Sequence, residues 1–268
     1  MEAPCPETPT VVSVILVTYK RVQHLRQTLS SLLETATYPR SQLEIILCDD
    51  GSPAEIQYLM RELPCDRFLL SARNAGMGAN ANKGLREATG DYILHLQDDW
   101  KCIGPPDLIE ASLEVFRERP DVGFIRLRNA FDGPYEEYIT ASRRIVHIYY
   151  NRPERRGTAG EYAYTDNPHI KRKSVHDYCG LYKESRSMVE TEMDFCFRFE
   201  NQDVYRCAFI VGYETFMHTG ESESFNPLAR RARIAGILNR FAPGRWALKI
   251  NRGLKQVVTR VAKRGHRF

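Results

Sequence analysis

Two adjacent carboxylates, Asp98 and Asp99, follow the apolar run Tyr92-Ile93-Leu94-His95-Leu96 and its Gln97. Carboxylates at the carboxyl end of a buried strand can hold a divalent ion, which can in turn hold the phosphates of a nucleotide. Neighbouring carboxylates repel each other, and the following Trp100 is not a turn former, so a cation explains the pair better than a turn does. Two further apolar runs also end in polar groups. Val14–Val17 ends in Thr18-Tyr19, and Ile45–Cys48 ends in Asp49-Asp50-Gly51-Ser52. The second cluster has the composition of a strand-ending turn as well, and both readings stand open for it.

Four other groups bear on chemistry. Glu190, Asp194 and Arg198 share helical spacing, so Asp194 and Arg198 can pair on a helix surface while Glu192 points elsewhere. His218 follows Phe216-Met217; it becomes a ligand only if the fold carries it to Asp99, and is otherwise a structural histidine. His176 and Cys179 have ligand-like spacing but no second pair to complete a zinc site. Gly76-Met77-Gly78-Ala79-Asn80-Ala81 matches G-x-G-x-x-A between a strand and a helix, with Asp98 about where a ribose-binding acid would fall. That is the signal for a dinucleotide-dependent oxidoreductase. Against it, Arg73-Asn74-Ala75 separates the glycines from the strand, and the unit is third in the chain.

The elements that must position these groups alternate. Strands are expected over 11–18, 43–48, 67–71, 92–96 and 122–127, and helices over 22–35, 54–63, 78–88 and 105–118. Such alternation implies an α/β, Rossmann-like, mostly parallel sheet with helices on both faces, whose ligands lie beyond the carboxyl ends of the strands. From 131 the texture changes. Tyr135–Ile139 and Ile145–Tyr150 read as antiparallel strands or an aromatic-rich insertion, and a loop with Arg152 to Gly157 follows. Glu190–Asn201 reads as a helix, Val204–Val211 as a strand, and 226–268 as a basic tail, helical in two pieces broken at Pro243-Gly244.

The chain has 268 residues, 43% hydrophobic and 27% charged, with a net charge of +4, so it is not a polycation. Its seven cysteines are scattered without a C-x-x-C pair, which favours a reducing compartment; Cys48, Cys196 and Cys207 sit in core patterns. The first residues lack the features of a signal peptide and no run is long enough to span a bilayer, so a cytoplasmic location is expected. After Glu223 no acidic residue occurs. The tail interleaves Trp246, Leu248, Ile250, Leu254, Val257, Val258 and Val261 with Arg245, Lys249, Arg252, Lys255, Arg260 and Lys263. It reads either as a helical pair packed on the domain or as a peripheral anchor on an anionic membrane surface. No nucleic-acid motif accompanies the charge.

Read as VSVILVTYKR…LEIILCDDGS…RNAGMGANANKG…GDYILHLQDDW, residues 12–100 resemble the nucleotide-sugar domain of family 2 glycosyltransferases with the GT-A fold. The resemblance continues in Asn167-Pro168-His169-Ile170, the Glu192 helix and His218-Thr219-Gly220. It implies a nucleotide-binding set of Thr18, Tyr19, Asp50, Asn74, Lys83 and Asp98, with Asp99 and His218 at a Mg²⁺ or Mn²⁺ ion and Glu192 as catalytic base. It also implies an inverting transfer from a nucleotide-diphosphate sugar, UDP being the family's commonest carrier, to a hydroxyl of a glycan or lipid-linked acceptor. The regions expected are 1–130 for the nucleotide sugar, 131–223 for acceptor and base, and 224–268 for the tail. Three departures stand out. Gln97 replaces the first acid of the D-x-D motif, Thr191-Glu192 replaces the Glu-Asp pair, and the Gln-x-x-Arg-Trp signature of processive synthases is absent, which favours transfer of one sugar per encounter. Besides the oxidoreductase, a non-catalytic sugar-nucleotide or lipid-surface binding module competes with this reading.

Overall fold

The computed structural model describes residues 10–152 and 162–220. The first half alternates as expected: β1 (Val12–Thr18), α1 (Val22–Thr35), β2 (Leu43–Asp49), α2 (Ala54–Met60), β3 (Arg67–Leu70), α3 (Met77–Glu87) and β4 (Tyr92–Gln97). Then come a short β5 (Trp100–Cys102), α4 (Leu108–Glu118), β6 (Val122–Arg126), β7 (Tyr135–Ile139) and β8 (Ile145–Tyr149). The described part ends with β9 (His169–Arg172), α5 (Val175–Cys179), α6 (Met188–Glu200), β10 (Arg206–Ile210) and β11 (Phe216–His218). The expected tail over 224–268 and most of the 152–157 loop lie outside the described residues.

Nine strands form one sheet in the order β3-β2-β1-β4-β9-β6-β10-β8-β7. β1 pairs in parallel with β2 and β4, and β2 with β3, while β8 and β9 run against their neighbours. Strand β1 shows why this sheet is buried on both sides. Val12, Val14 and Leu16 join one core cluster with Leu25 and Leu29 of α1, whereas Ile15 and Val17 join the other with Ala81 and Leu85 of α3. Alternate side chains of a strand point to opposite faces, so a continuous apolar run serves two helical layers.

Strand β9 was not anticipated, and it matters for the site. It inserts antiparallel between β4 and β6, with His95 opposite His169. Because β9 begins beside the carboxyl half of β4, the residues just before it, Tyr164–Pro168, arrive at the sheet rim next to Gln97. The β7–β8 hairpin continues the same sheet, and described residues beyond 131 such as Val146, Ile148 and Tyr149 join the two core clusters of the first half. No helix among the described residues is long and apolar enough to cross a membrane.

Candidate active site

The rim chemistry begins at a turn held by α1. Thr28 and Ser31 lie on the buried face of that helix. Thr28 Oγ1 donates to the Asp98 carbonyl (2.8 Å) and receives the Trp100 N–H (3.2 Å), and Ser31 Oγ receives the Cys102 N–H (2.9 Å). These bonds fix the backbone that presents both acids. Thr18 Oγ1, at the end of β1, donates to Asp98 Oδ2 at 2.7 Å. β5 then pairs with β11, His218 opposite Trp100, in a two-stranded ribbon. That register returns His218 to the acid pair, with Nε2 at 3.2 Å from Asp99 Oδ2 and its ring 4.7 Å from that of Trp100.

Arg21, which sequence reasoning passed over, enters the same cluster. Its Nη1 lies 3.1 Å from Asp98 Oδ1 and 2.9 Å from Asp99 Oδ2. Burial pushes the Asp98 carboxyl up to about 6, against the pull of Arg21 and the Thr18 hydroxyl. Burial acts to raise Asp99 too, but His218 and Arg21 outweigh it and hold that carboxyl below its usual range. The signal for Arg21 was its place three residues after Thr18, on the turn out of the first polar strand end.

Asp99 Oδ1 is buried and has no hydrogen-bond partner among the described residues. With His218 Nε2 beside the other oxygen, this is a donor set that suits a hard or borderline divalent cation. A third histidine, cysteine or carboxylate does not complete a cluster among the described residues. Asp99 and His218 are the residues that would hold such an ion.

The second acidic cluster serves the turn and the loop beyond it. Asp49 accepts from the Ser52 N–H (2.8 Å) and hydroxyl and from Gln57 Nε2 (2.8 Å). Asp50 Oδ1 accepts the Ala75 N–H (2.8 Å) and Oδ2 the Gly76 N–H (3.0 Å), so Asp50 organises the start of α3 at the rim. Lys83 Nζ donates to the carbonyls of Asp49 (2.5 Å) and Leu69 (2.7 Å) and to Ser71 Oγ (2.6 Å). All three of its donors are engaged by protein oxygens, which ties α3 to the ends of β2 and β3. Tyr19 is half-buried and Asn74 exposed at the same edge.

The glycine loop has a packing explanation. Gly76 has φ +98°, and an added Cβ would lie 2.4 Å from the Ser185 carbonyl; at Gly78 it would lie 2.2 Å from the Lys183 carbonyl. The close approach these glycines permit is to the chain's own 183–185 backbone. That segment leads into α6, where Ser187 caps the helix by accepting the Glu190 N–H (3.2 Å).

On α6, Asp194 pairs with Arg198 at 2.6 Å along the helix, and Glu192 faces the rim. Its Oε1 lies 3.3 Å from the Asp166 N–H and 3.5 Å from Thr165 Oγ1. Gln97 Nε2 reaches within 3.5 Å of the Asp166 carbonyl, linking the end of β4 to the segment that holds Glu192. Burial raises the Glu192 carboxyl, partly offset by that N–H, the Thr165 hydroxyl and Arg126. His176 and Cys179 do not form a metal pair; His176 Nδ1 bonds the Gly180 carbonyl at 2.9 Å and Cys179 is buried.

A sheet whose first four strands are parallel, with acids gathered at their carboxyl rim and a carboxylate-bearing helix beside them, is the arrangement of a nucleotide-binding α/β transferase. The chain belongs to glycosyl transferase family 2, whose family pattern matches residues 13–183. It is 28% identical over 139 residues to the undecaprenyl-phosphate 4-deoxy-4-formamido-L-arabinose transferase of Proteus mirabilis, covering 50% of this chain and 41% of that one. It spans about two fifths of the length of the curated relatives it matches. Among solved structures, TarS 1–349 of S. aureus in complex with UDP aligns with a TM-score of 0.59 at 16% identity, over 86% of this chain and 71% of that one. The mannosyltransferase PcManGT of Pyrobaculum calidifontis, in complex with GDP-Man and Mn²⁺, aligns with a TM-score of 0.57 at 16% identity, over 87% and 63%. The fold is GT-A.

Proposed function

We propose that this chain is an inverting glycosyltransferase that moves one sugar from a nucleoside-diphosphate sugar to an acceptor hydroxyl in the presence of Mg²⁺ or Mn²⁺. The observation that carries this reading is the convergence on one rim of the Thr18–Asp98–Asp99–His218 cluster and, through Gln97 and the Asp166 segment, of Glu192. Asp99 and His218 would hold the cation, which would supply Lewis-acid neutralisation of the departing diphosphate. Arg21 adds a fixed positive charge against the same acids. Thr18, Asp98 and the Asp50-organised loop, with Tyr19 and Asn74 at its edge, border the space for base and ribose. The three protein bonds of Lys83 make it a support for that edge.

The acceptor hydroxyl attacks the anomeric carbon from the face opposite the diphosphate. The new carbon–oxygen bond forms as the bond to phosphate breaks, the nucleoside diphosphate leaves with the electron pair, and Glu192 takes the hydroxyl proton. A carboxylate whose proton affinity is raised by burial suits this task, and a positioned base contributes typically ~10²–10⁴-fold.

UDP is the first carrier to test, because a structural neighbour is a complex with UDP; a lipid-linked glycan is the acceptor class suggested by the undecaprenyl-phosphate relative. A cytoplasmic location with peripheral contact of the basic tail to an anionic membrane belongs to the same proposal, supported by the interleaved apolar and basic residues of 245–263. The experiment is a panel of nucleotide sugars incubated with Mn²⁺, read as release of the nucleoside diphosphate. Release from one sugar nucleotide, abolished by chelation, is expected. A protein whose melting temperature rises with NAD(P)H but not with any nucleotide sugar would restore the oxidoreductase reading, and binding without turnover would leave the non-catalytic module.

A further inference from the structure

Behind Glu192 lies a set of polar groups that the transfer chemistry has not used. Tyr164, Asp166, Lys171 and Tyr182 are all buried, Lys171 with no exposure at all. Lys171 Nζ donates to the Tyr182 hydroxyl at 2.7 Å, the two tyrosine hydroxyls lie 2.5 Å apart, and the Tyr164 hydroxyl donates to Asp166 Oδ1 at 3.0 Å. Because Tyr164 gives its only proton to Asp166, the hydrogen between the tyrosines must come from Tyr182. The donors thus run in one direction, from Lys171 to Asp166.

Asp166 is the end of this chain and the neighbour of Glu192. Its own N–H holds Glu192 Oε1, while its Oδ2 is buried with no partner among the described residues. An ionised oxygen left in that position costs more than a neutral carboxyl does. Two carboxyls so close also disfavour double ionisation. The groups that face Asp166 and Glu192 are Cys196 on α6, Lys171 on β9, Arg126 on β6, and Tyr164 and Tyr182; His169 on β9 and His95 on β4 stack on each other beside Lys171. Of these, burial brings Lys171 down to about 7, which weakens a cation that draws the Asp166 carboxyl down. Burial first and Glu192 second raise the Asp166 carboxyl.

We propose that Asp166 and Glu192 work as one unit that retains a single proton, with Asp166 as a positioning residue whose neutral carboxyl, anchored through Tyr164 and Tyr182 to Lys171, sets how readily Glu192 accepts the acceptor's proton. The inference rests on Glu192 being the base. It gives the buried lysine and tyrosines a reason to exist in a layer otherwise filled by Phe195, Phe199 and Phe124.

Two readouts test it, one of them independent of turnover. Asp166 keeps a proton in the folded protein that the unfolded chain releases near pH 4, so its contribution to stability declines as pH rises through its raised folded value. The melting temperature of Asp166→Asn minus that of wild type should therefore increase from pH 4 to pH 7.5, by roughly 2–4 °C or more. In kcat/KM for the acceptor, Asp166→Asn keeps a neutral group beside Glu192 and should leave the acid limb in place, with the donor KM unchanged, but should lose the second inflection that wild type shows where Asp166 itself ionises. A merely structural role would lower the rate and leave both inflections. If Asp166→Asn does not fold, Tyr164→Phe removes the donor that favours the ionised form and should steepen the decline of stability with pH. A melting difference that does not vary with pH overturns the shared proton, and a second inflection that survives in Asp166→Asn overturns the tuning of Glu192. A persistent pH-dependent melting difference in a protein that transfers no sugar overturns instead the transfer reading on which the inference rests.

Discussion

Gly78→Ala separates two explanations of the glycine loop. In one, the loop is open for a pyrophosphate; in the other, it is closed by the protein's own backbone. The added Cβ would meet the Lys183 carbonyl at 2.2 Å and Thr191 Cγ2 at 3.1 Å. A backbone carbonyl cannot rotate away as a side-chain end can, so α3 and the 183–185 segment must separate. Overpacking of this kind costs about 1–3 kcal/mol. At about 2–4 °C per kcal/mol for a domain of this size, the melting temperature should fall by about 2–12 °C. The displacement also reaches the start of α6, about one turn before Glu192, the proposed base, so transfer should fall with stability. Differential scanning fluorimetry without ligand is the assay, with Ala79→Gly as a control on the same helix. An unchanged melting temperature in Gly78→Ala, accompanied by loss of nucleotide binding, would refute the packing argument and return the loop to a phosphate site.

Other outcomes follow from the same geometry. Lys83→Met leaves three acceptors at the ends of β2 and β3 without their donor; at about 1–3 kcal/mol for an unsatisfied buried group, a clear drop in urea midpoint is expected, while donor specificity is retained. His95 is fully buried, stacked 4.9 Å from His169, and burial brings it down to about 3. The unfolded chain takes up that proton near pH 6.5, so the stability His95 contributes as a neutral ring is present above about pH 6.5 and is lost as pH falls toward its folded value. His95→Phe should accordingly lose less melting temperature than wild type between pH 7 and pH 5.

The first half of the fold was legible because β1, β2 and β4 are mainly apolar and each is followed by a helical pattern. Helix α1 falls over the expected residues because Leu25, Leu29 and Leu32 repeat at helical spacing. Elements of three or four residues carry too few side chains to show a period. That is why β5, β9 and β11 were missed, although they bring His218 to Asp99 and the Tyr164–Pro168 segment to Glu192. The ends of longer elements also shifted: α2 stops at Met60, short of the expected Leu63, and α4 begins at Leu108 after the two prolines. Asp50 and Lys83 were legible as rim residues by position, but not their protein partners, since those come from β3 and from the loop before α3. Arg21 and Asp166 were invisible for a different reason. A charged residue in a turn is ordinarily solvated, and only the tertiary structure shows Arg21 half-buried against Asp98 and Asp99 and Asp166 buried beside Glu192.

The claim on which everything else depends is that one rim binds the donor through Asp99 and performs proton transfer through Glu192. Sugar transfer and UDP·Mn²⁺ binding measured side by side in Glu192→Gln and Asp99→Ala test it most directly. Glu192→Gln should bind UDP·Mn²⁺ as wild type does and lose ~10²–10⁴-fold in turnover, whereas Asp99→Ala should lose metal-dependent binding itself. Undiminished turnover in Glu192→Gln, or metal-dependent binding that survives Asp99→Ala, would contradict the account.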